Sequence, residues 1–261
     1  MKIRLSRGMI DVLSGAASIG CFLLLWLALT RHTGLGELIP GPDVVLAALF
    51  KGLFGKVGRH GILVHAGYSL ARVLAGFAIG GAAGVVIGLS MGWSRFAEAV
   101  FQPLYRVVRP IPPIAWIPIS IIWFGLGESA KVFLIFLASF ANVTLNAWSG
   151  ARDADRQLIG AARMLGANQR QIFLTIVLPS AVPQIFAGLQ VAMSNSWATV
   201  LAAEMVRSSE GLGWMIVTGM SNNDIVQILS GIVAIGVVGF VLSVAMRKAE
   251  ALLCRWNHGG R

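Results

Sequence analysis

Six long apolar stretches, each nearly free of charge, constrain what this chain of 261 residues can fold into. A helix needs about 20 mostly apolar residues to cross the hydrocarbon layer of a membrane, where only helices and closed barrels satisfy their backbone groups. The apolar residues are continuous rather than alternating, which favours helices. We therefore expect an all-α integral membrane protein. The predicted spans are 14–30, 64–91, 100–124, 132–149, 183–203 and 225–246.

The composition excludes several other classes of protein. Hydrophobic residues make up 56% of the chain and charged residues only 12%, whereas about a quarter of the residues are charged in a soluble domain. The net charge of +10 could suggest a nucleic-acid partner, but that function needs a basic face on a polar domain. The four histidines form no zinc-binding pair, and the chain lacks a nucleophile elbow and a phosphate loop. We expect no catalytic site, bound cofactor, metal or nucleic acid.

The orientation in the membrane follows from the placement of lysine and arginine. With the N-terminus inside, the cytoplasmic segments hold twelve of these residues, the outer segments hold six, and three fall within spans. This bias predicts that both termini are cytoplasmic. The first span could instead belong to a cleaved signal peptide, although no small-residue cleavage site follows it. In the outer loop, Pro42-Asp43 followed by 44–53 predicts a short amphipathic helix on the outer surface.

The third span is rich in proline, which must kink or interrupt its helix. Its prolines are Pro103, Pro110, Pro112, Pro113 and Pro118. A broken helix can border a water-filled path. Arg109 lies near the inner end of this span, where it could attract an anion or extend to the cytoplasmic interface.

The second span carries a glycine at every fourth position, and this spacing puts all five on one helix face. They are Gly76, Gly80, Gly84, Gly88 and Gly92. Such a face favours close packing against another helix, and the alternative is a lining for substrate. We place no carboxylate in the middle of a span, which argues against a carrier driven by a buried carboxylate. The polar residues Asn142 and Asn195 could line an aqueous path or join helices by hydrogen bonds.

The polar loop between the fourth and fifth spans has helical character. Asp153 or Asp155 can start a helix, after which Leu158, Ile159, Ala162 and Leu165 form an apolar stripe. Gly166 supplies a left-handed stop, and a second short helix runs from Asn168 until Pro179 breaks it. Such a helix suits a groove on a cytoplasmic partner, or alternatively the lipid headgroups.

This loop resembles the Glu-Ala-Ala, Gly, Ile-x-Leu-Pro loop of permease subunits in binding-protein-dependent ABC importers. The matching residues are Ala161, Ala162, Gly166, Ile176, Leu178 and Pro179, while Gly160 replaces the leading glutamate. Residues 109–118 with 123–128, and residues 196–204 with 211–213, resemble signatures of the taurine, alkanesulfonate and nitrate importer permeases. The resemblance extends over about residues 14–250.

The resemblance implies a type I importer permease fold in a bacterial inner membrane. Two copies of the chain, or the chain and a paralogue, would form the pathway. A cytoplasmic ATPase dimer would bind ATP and magnesium, and an extracytoplasmic binding protein would deliver a small anion. Taurine or another sulfonate is expected, and nitrate or a pyrimidine vitamin precursor is the alternative. The implied layout is one domain over 1–261: cytoplasmic 1–13, first span 14–30, outer loop 31–63, three spans in 64–149, cytoplasmic coupling loop 150–179, two spans in 180–246 and cytoplasmic 247–261.

The resemblance also implies roles for individual residues. Those expected to couple the chain to the ATPase are Arg156, Leu158, Gly160, Ala161, Ala162, Arg163, Leu165 and Gly166. Those expected along the translocation pathway are Arg109, Trp116, Asn142 and Asn195. Three other functions compete with this interpretation: a channel or secondary carrier that works without ATP, a membrane enzyme, and a structural membrane scaffold.

Overall fold

The computed structural model describes residues 7–206 and 208–253, with side chains from residue 13 onward, and no strand occurs in these ranges. The α-helices are α1 (Arg7–His32), α2 (Leu35–Leu38), α3 (Pro42–Phe54), α4 (Ile62–Trp93), α5 (Arg95–Val108), α6 (Ile117–Phe124), α7 (Glu128–Arg152), α8 (Arg156–Met164), α9 (Gln169–Ile172), α10 (Leu178–Val206), α11 (Leu212–Ser221) and α12 (Ile225–Leu253). A 3₁₀ turn (Pro113–Trp116) precedes α6, and a π-helical segment (Phe173–Val177) joins α9 to α10.

Five helical stretches of the described residues are long and apolar enough to cross a membrane. They are Leu13–His32, Ile62–Trp93, Glu128–Arg152, Gln169–Val206 and Ile225–Leu253. A sixth span results if α5 is counted together with the 3₁₀ turn and α6, whose axes are bent by 87°. The prediction of about six helical spans, the third interrupted by proline, is confirmed. The helices extend several residues beyond the predicted spans, because polar residues that flank the apolar stretches are also helical.

The break in the third span lies at residues 109–112. The Ser94 hydroxyl caps the start of α5 by accepting a hydrogen bond from the Ala97 amide at 3.4 Å. Pro103 is accommodated inside α5, but the chain leaves the helix after Val108. Pro110, Pro112 and Pro113 cannot donate backbone hydrogen bonds, so a continuous helix is lost there.

The prediction that Pro179 ends the second short helix of the polar loop is wrong. The helix begins at Gln169 and continues through Pro179 and Pro183 to Val206. Five residues of π-helix lie directly before Leu178, and the wider turn relieves the clash between a proline ring and the preceding turn. The Ser180 hydroxyl donates to the Ile176 carbonyl at 2.7 Å. Side-chain hydrogen bonds of this kind help membrane helices to tolerate proline.

The predicted glycine face of α4 lies against α7 along most of its length. A Cβ built on Gly80 would lie 2.6 Å from the Phe136 carbonyl oxygen, and one on Gly88 would lie 2.5 Å from the Thr144 carbonyl oxygen. The other glycines meet α7 in the same way, at Ile135, Val143 and Ala151. The two backbones touch because α4 presents no side chains on this face.

The described residues cluster into two compact units. One includes residues up to 63 together with 215–234, and the other includes 64–214 together with the chain from 235 onward. In the first unit, α3 occurs where the amphipathic helix was predicted, with Val45 buried and Phe54 exposed. The Ser230 hydroxyl donates to the Val45 carbonyl at 3.4 Å. The assignment of 1–261 to a single domain stays a prediction.

Candidate functional site: a polar loop, a cavity and a buried charge cluster

Hydrogen bonds fix both ends of α8. Asp155 caps α8 by accepting a hydrogen bond from the Gln157 amide at 2.7 Å. After α8, the Ala167 amide donates to the Ala162 carbonyl at 3.0 Å, while Gly166 adopts a φ of +83°. These are features of a Schellman ending, in which glycine is favoured at the left-handed position. The predicted left-handed stop at Gly166 therefore occurs in the structure.

The second half of the turn is fixed by a capping box at the start of α9. The Asn168 side chain accepts from the Gln171 amide at 2.9 Å, and the Gln171 side chain accepts from the Asn168 amide at 2.8 Å. Two orphan backbone donors are satisfied in this reciprocal way. The turn therefore has a defined conformation.

The predicted apolar stripe of α8 divides between two faces. Ile159 and Ala162 pack against the core formed by residues of α4, α7 and α10. Leu158, Ala161 and Leu165 are exposed, as are Arg156 and Arg163. Ala162, which was expected to contact the ATPase, is half-buried and packs against this chain's own core, and its coupling role stays a prediction. The sequence missed Met164, which is 86% exposed beside Leu165 at 89%.

The four residues predicted along the pathway lie together around one cavity of about 330 Å³. Arg109 and Trp116 come from the broken third span, Asn142 comes from α7, and Asn195 comes from α10. The remaining lining residues are Tyr105, Val108, Pro110, Ile111, Pro112, Pro113, Ile114, Leu137, Ala138, Phe140, Ala141, Ala198 and Thr199. The helix break thus supplies one wall of a chamber that α7 and α10 complete.

A buried charge cluster joins α4, α7 and α10. Arg72 of α4 donates from Nη1 to Glu204 Oε1 at 2.6 Å, and it holds both carboxylate oxygens of Glu128 at 2.5 and 2.7 Å. The Arg72 and Glu204 side chains are buried, whereas more than half of the Glu128 side chain is exposed. Bidentate pairing of arginine with carboxylate is among the stronger hydrogen-bonded interactions in proteins.

The same cluster holds the loop that follows α10. Glu204 accepts from the Ser69 hydroxyl at 2.8 Å and from the Gly213 amide at 2.9 Å. Arg72 also donates to the Glu210 carbonyl at 2.8 Å. Gly211 has a φ of +120°, and a Cβ there would overlap the Glu204 carboxylate. Because only glycine fits this position, the loop can fold directly onto the buried charge.

Sequence reasoning missed this cluster. The fifth span was predicted to end at 203, but its helix extends to Val206 and includes Glu204. Glu204 lies near the end of α10 rather than in its middle, so it does not contradict the expectation that no carboxylate occurs in the middle of a span. Arg72 neutralises it there. Arg72 itself was the available signal, because an arginine within a span requires a charged or polar partner.

Comparison with known proteins decides the family of the chain. The family model described as "Binding-protein-dependent transport system inner membrane component" matches residues 80–253. The chain belongs to this family. A probable ABC transporter permease protein of Brucella abortus is 36% identical to it, over 98% of this chain and 99% of the relative. The taurine transport system permease protein TauC of Escherichia coli is 34% identical, over 92% of this chain and 89% of the relative.

The fold of this permease agrees with a solved structure. A chain of the MetNI methionine ABC transporter, described in inward-facing conformations, matches 72% of this permease and 94% of its own length. The TM-score is 0.63 and the sequence identity is 17%, so this likeness concerns the fold. The all-α membrane fold of a type I importer permease is confirmed.

Proposed function

We propose that the chain is the membrane subunit of an ATP-driven importer and forms the pathway for a small anion, namely taurine or another sulfonate. Membership of the binding-protein-dependent family supports the importer function. The likeness to a taurine permease over nearly the whole length supports the class of substrate. The cavity beside the broken span provides a chamber where a small solute can be held during transport.

The observation that carries the coupling mechanism is the exposed apolar tip at Met164 and Leu165. Exposed large apolar side chains on an otherwise polar loop mark an interaction site. The Schellman ending and the capping box hold this tip at a fixed position relative to the core. A partner that binds the tip at Met164 and Leu165 can therefore move α8 as a rigid body, as happens in domain closure.

The partners follow from this assignment. An ATPase dimer, which binds ATP and magnesium, receives the tips of two permease chains. A binding protein outside the cell delivers the substrate. This arrangement places residues 150–179, together with both termini, in the cytoplasm of a bacterium and the chain in its inner membrane. In it, Leu158, Ala161 and Leu165 contact the ATPase, Arg156 and Arg163 contact its rim, Gly160 sits beside Ala161, and Gly166 supplies the turn.

The test is substrate uptake into proteoliposomes that contain the permease, the ATPase and the binding protein. Leu165→Gln should lower ATP-dependent uptake at least tenfold and reduce copurification of the ATPase. Gln157→Ala, which changes an exposed residue of the same helix, is the matched control and should keep wild-type uptake. Taurine uptake by the permease alone, without ATP, would instead identify a channel or secondary carrier and overturn the proposal.

A further inference from the structure

We infer that the cavity of about 330 Å³ is a binding site for the anionic group of the substrate, with Arg109 as the residue that selects for negative charge. This inference rests on the proposed function only in taking the bound anion to be the transported substrate. It assigns a class of ligand and individual roles to residues of one chamber.

The charge of the lining points to an anion. Arg109 is the only charged residue among those that line the cavity, and no aspartate or glutamate lies in the wall. Within the described part of the chain, the Arg109 side chain makes no hydrogen bond or ion pair, whereas the Arg72 guanidinium makes four hydrogen bonds. An unpaired guanidinium beside apolar walls attracts an anion more strongly than it would in bulk water.

The polar side chains that line the cavity divide into those that already have a hydrogen-bond acceptor and those that are left to bind a ligand. Three polar side chains of the lining are directed to backbone carbonyls. Tyr105 Oη donates to Ala141 at 2.6 Å, Asn142 Nδ2 to Ala138 at 2.8 Å, and Thr199 Oγ1 to Asn195 at 2.7 Å.

Two further donors of the lining have no acceptor among the described residues, namely the Asn195 side-chain amide and the Trp116 indole N–H. Together with Arg109 they provide donors from two elements, the broken span and α10. A sulfonate offers three acceptor oxygens, and arginine can pair with two oxygens at once.

The remaining walls fit the organic part of such a ligand. Ile111, Ile114, Leu137 and Phe140 give the cavity apolar sides next to the polar groups. Ligand sites combine predominantly apolar walls with a few polar groups that orient the ligand, in volumes of about 300–1,000 Å³. A small alkanesulfonate or aminosulfonate matches this combination better than nitrate, which has no apolar part.

Titration of purified permease in detergent with taurine, ethanesulfonate and nitrate tests the site by calorimetry, separately from transport. We expect wild-type permease to bind both sulfonates more tightly than nitrate. Arg109→Gln should weaken sulfonate binding at least tenfold, and Arg109→Lys should keep part of the affinity. Asn195→Asp, which preserves side-chain shape but adds negative charge, should also weaken binding at least tenfold.

The matched control is Arg106→Gln, because Arg106 is an exposed arginine of α5, three residues before Arg109, and does not line the cavity. It should bind within twofold of wild type. The inference is overturned if wild-type permease binds no sulfonate, or if Arg109→Gln and Asn195→Asp bind like wild type. ATP-dependent uptake by the same preparations separates the two proposals. Normal uptake without sulfonate binding in the cavity would refute the binding site but not the importer function.

Discussion

Arg72 and Glu204 are 132 positions apart in sequence, yet their side chains form a buried ion pair with 2.6 Å between Nη1 and Oε1. Removing charges from water is costly, and the cost is offset only when the remaining polar groups are also satisfied. Here the Ser69 hydroxyl, the Gly213 amide and the Glu210 carbonyl complete the hydrogen bonding. The pair therefore fixes the loop after α10 against α4.

Removing one partner of this pair should be strongly destabilising. In Arg72→Ala, Glu204 stays buried without a counter-charge, and we expect the free energy of unfolding to fall by about 3–5 kcal/mol. Thermal unfolding in detergent measures the effect. Arg106→Ala removes an exposed arginine and should change the stability by less than about 0.5 kcal/mol. Equal melting temperatures for the two variants would contradict the role given to the pair.

The glycine face of α4 allows a paired comparison within one helix. Gly88→Ala places a methyl group against the Thr144 carbonyl and Ala147, and overpacking of this kind costs about 1–3 kcal/mol. Gly67→Ala adds the same methyl group where no atom lies within 4 Å. It should be neutral or slightly stabilising, because alanine favours helix over glycine. Thermal melts followed by circular dichroism test both variants. An equal decrease in melting temperature for Gly88→Ala and Gly67→Ala would refute close packing at Gly88.

Gly166 should tolerate asparagine better than valine. A Cβ at this position would meet no atom within 4 Å, so the restriction comes from the φ of +83° rather than from space. Left-handed backbone costs a typical residue about 1–2 kcal/mol, and asparagine adopts it more readily. We expect Gly166→Val to reduce uptake and substrate-stimulated ATPase activity while membrane insertion is unchanged. Gly166→Asn should retain most activity. Normal activity of Gly166→Val would contradict a role for the turn in coupling to the ATPase.

The ion pair between Arg31 and Asp43, 3.1 Å apart, should contribute to stability in a pH-dependent way. The hydrogen bond from Arg31 lowers the pKa of the Asp43 carboxyl below its ordinary value of 3.8. The contribution is therefore present above pH 3.8 and is lost as the pH falls through the lowered pKa. Both side chains are exposed, so the effect is small and salt weakens it. Melting temperatures of wild type and Asp43→Asn should differ slightly at pH 7 and converge in strong acid.

Much of the fold could be predicted from the sequence because it depends on local chemistry. The length of the apolar stretches predicts the spanning helices, and the prolines after Val108 predict the interruption of the third span. Gly166 predicts the left-handed backbone conformation that ends α8. Each of these signals acts within one or two helical turns. The residues predicted along the pathway also gather around one cavity, to which the broken third span contributes Arg109 and Trp116.

The remaining features depend on contacts that a linear pattern does not contain. Pro179 is a strong local stop signal, but the π-helical segment before it accommodates the ring. Ala162 and Ala161 are adjacent and identical in chemistry, and only the packing of α8 on the core decides that Ala162 is the one partly covered. Glu204 finds Arg72 through the tertiary structure. Predicting such a pair requires knowing which helices are neighbours.

The glycine face of α4 affects how the wall of the cavity can move. Because the glycines of α4 contribute no side chains, α7 approaches the α4 backbone closely, and a Cβ built on any of the five glycines would lie within 3 Å of an atom of α7. We expect α4 and α7 to move as one rigid unit, and α7 supplies one wall of the chamber. Residues 109–112 form another part of the wall and lie outside the α-helices, so we expect a change in the width of the chamber to involve this stretch before it involves α7.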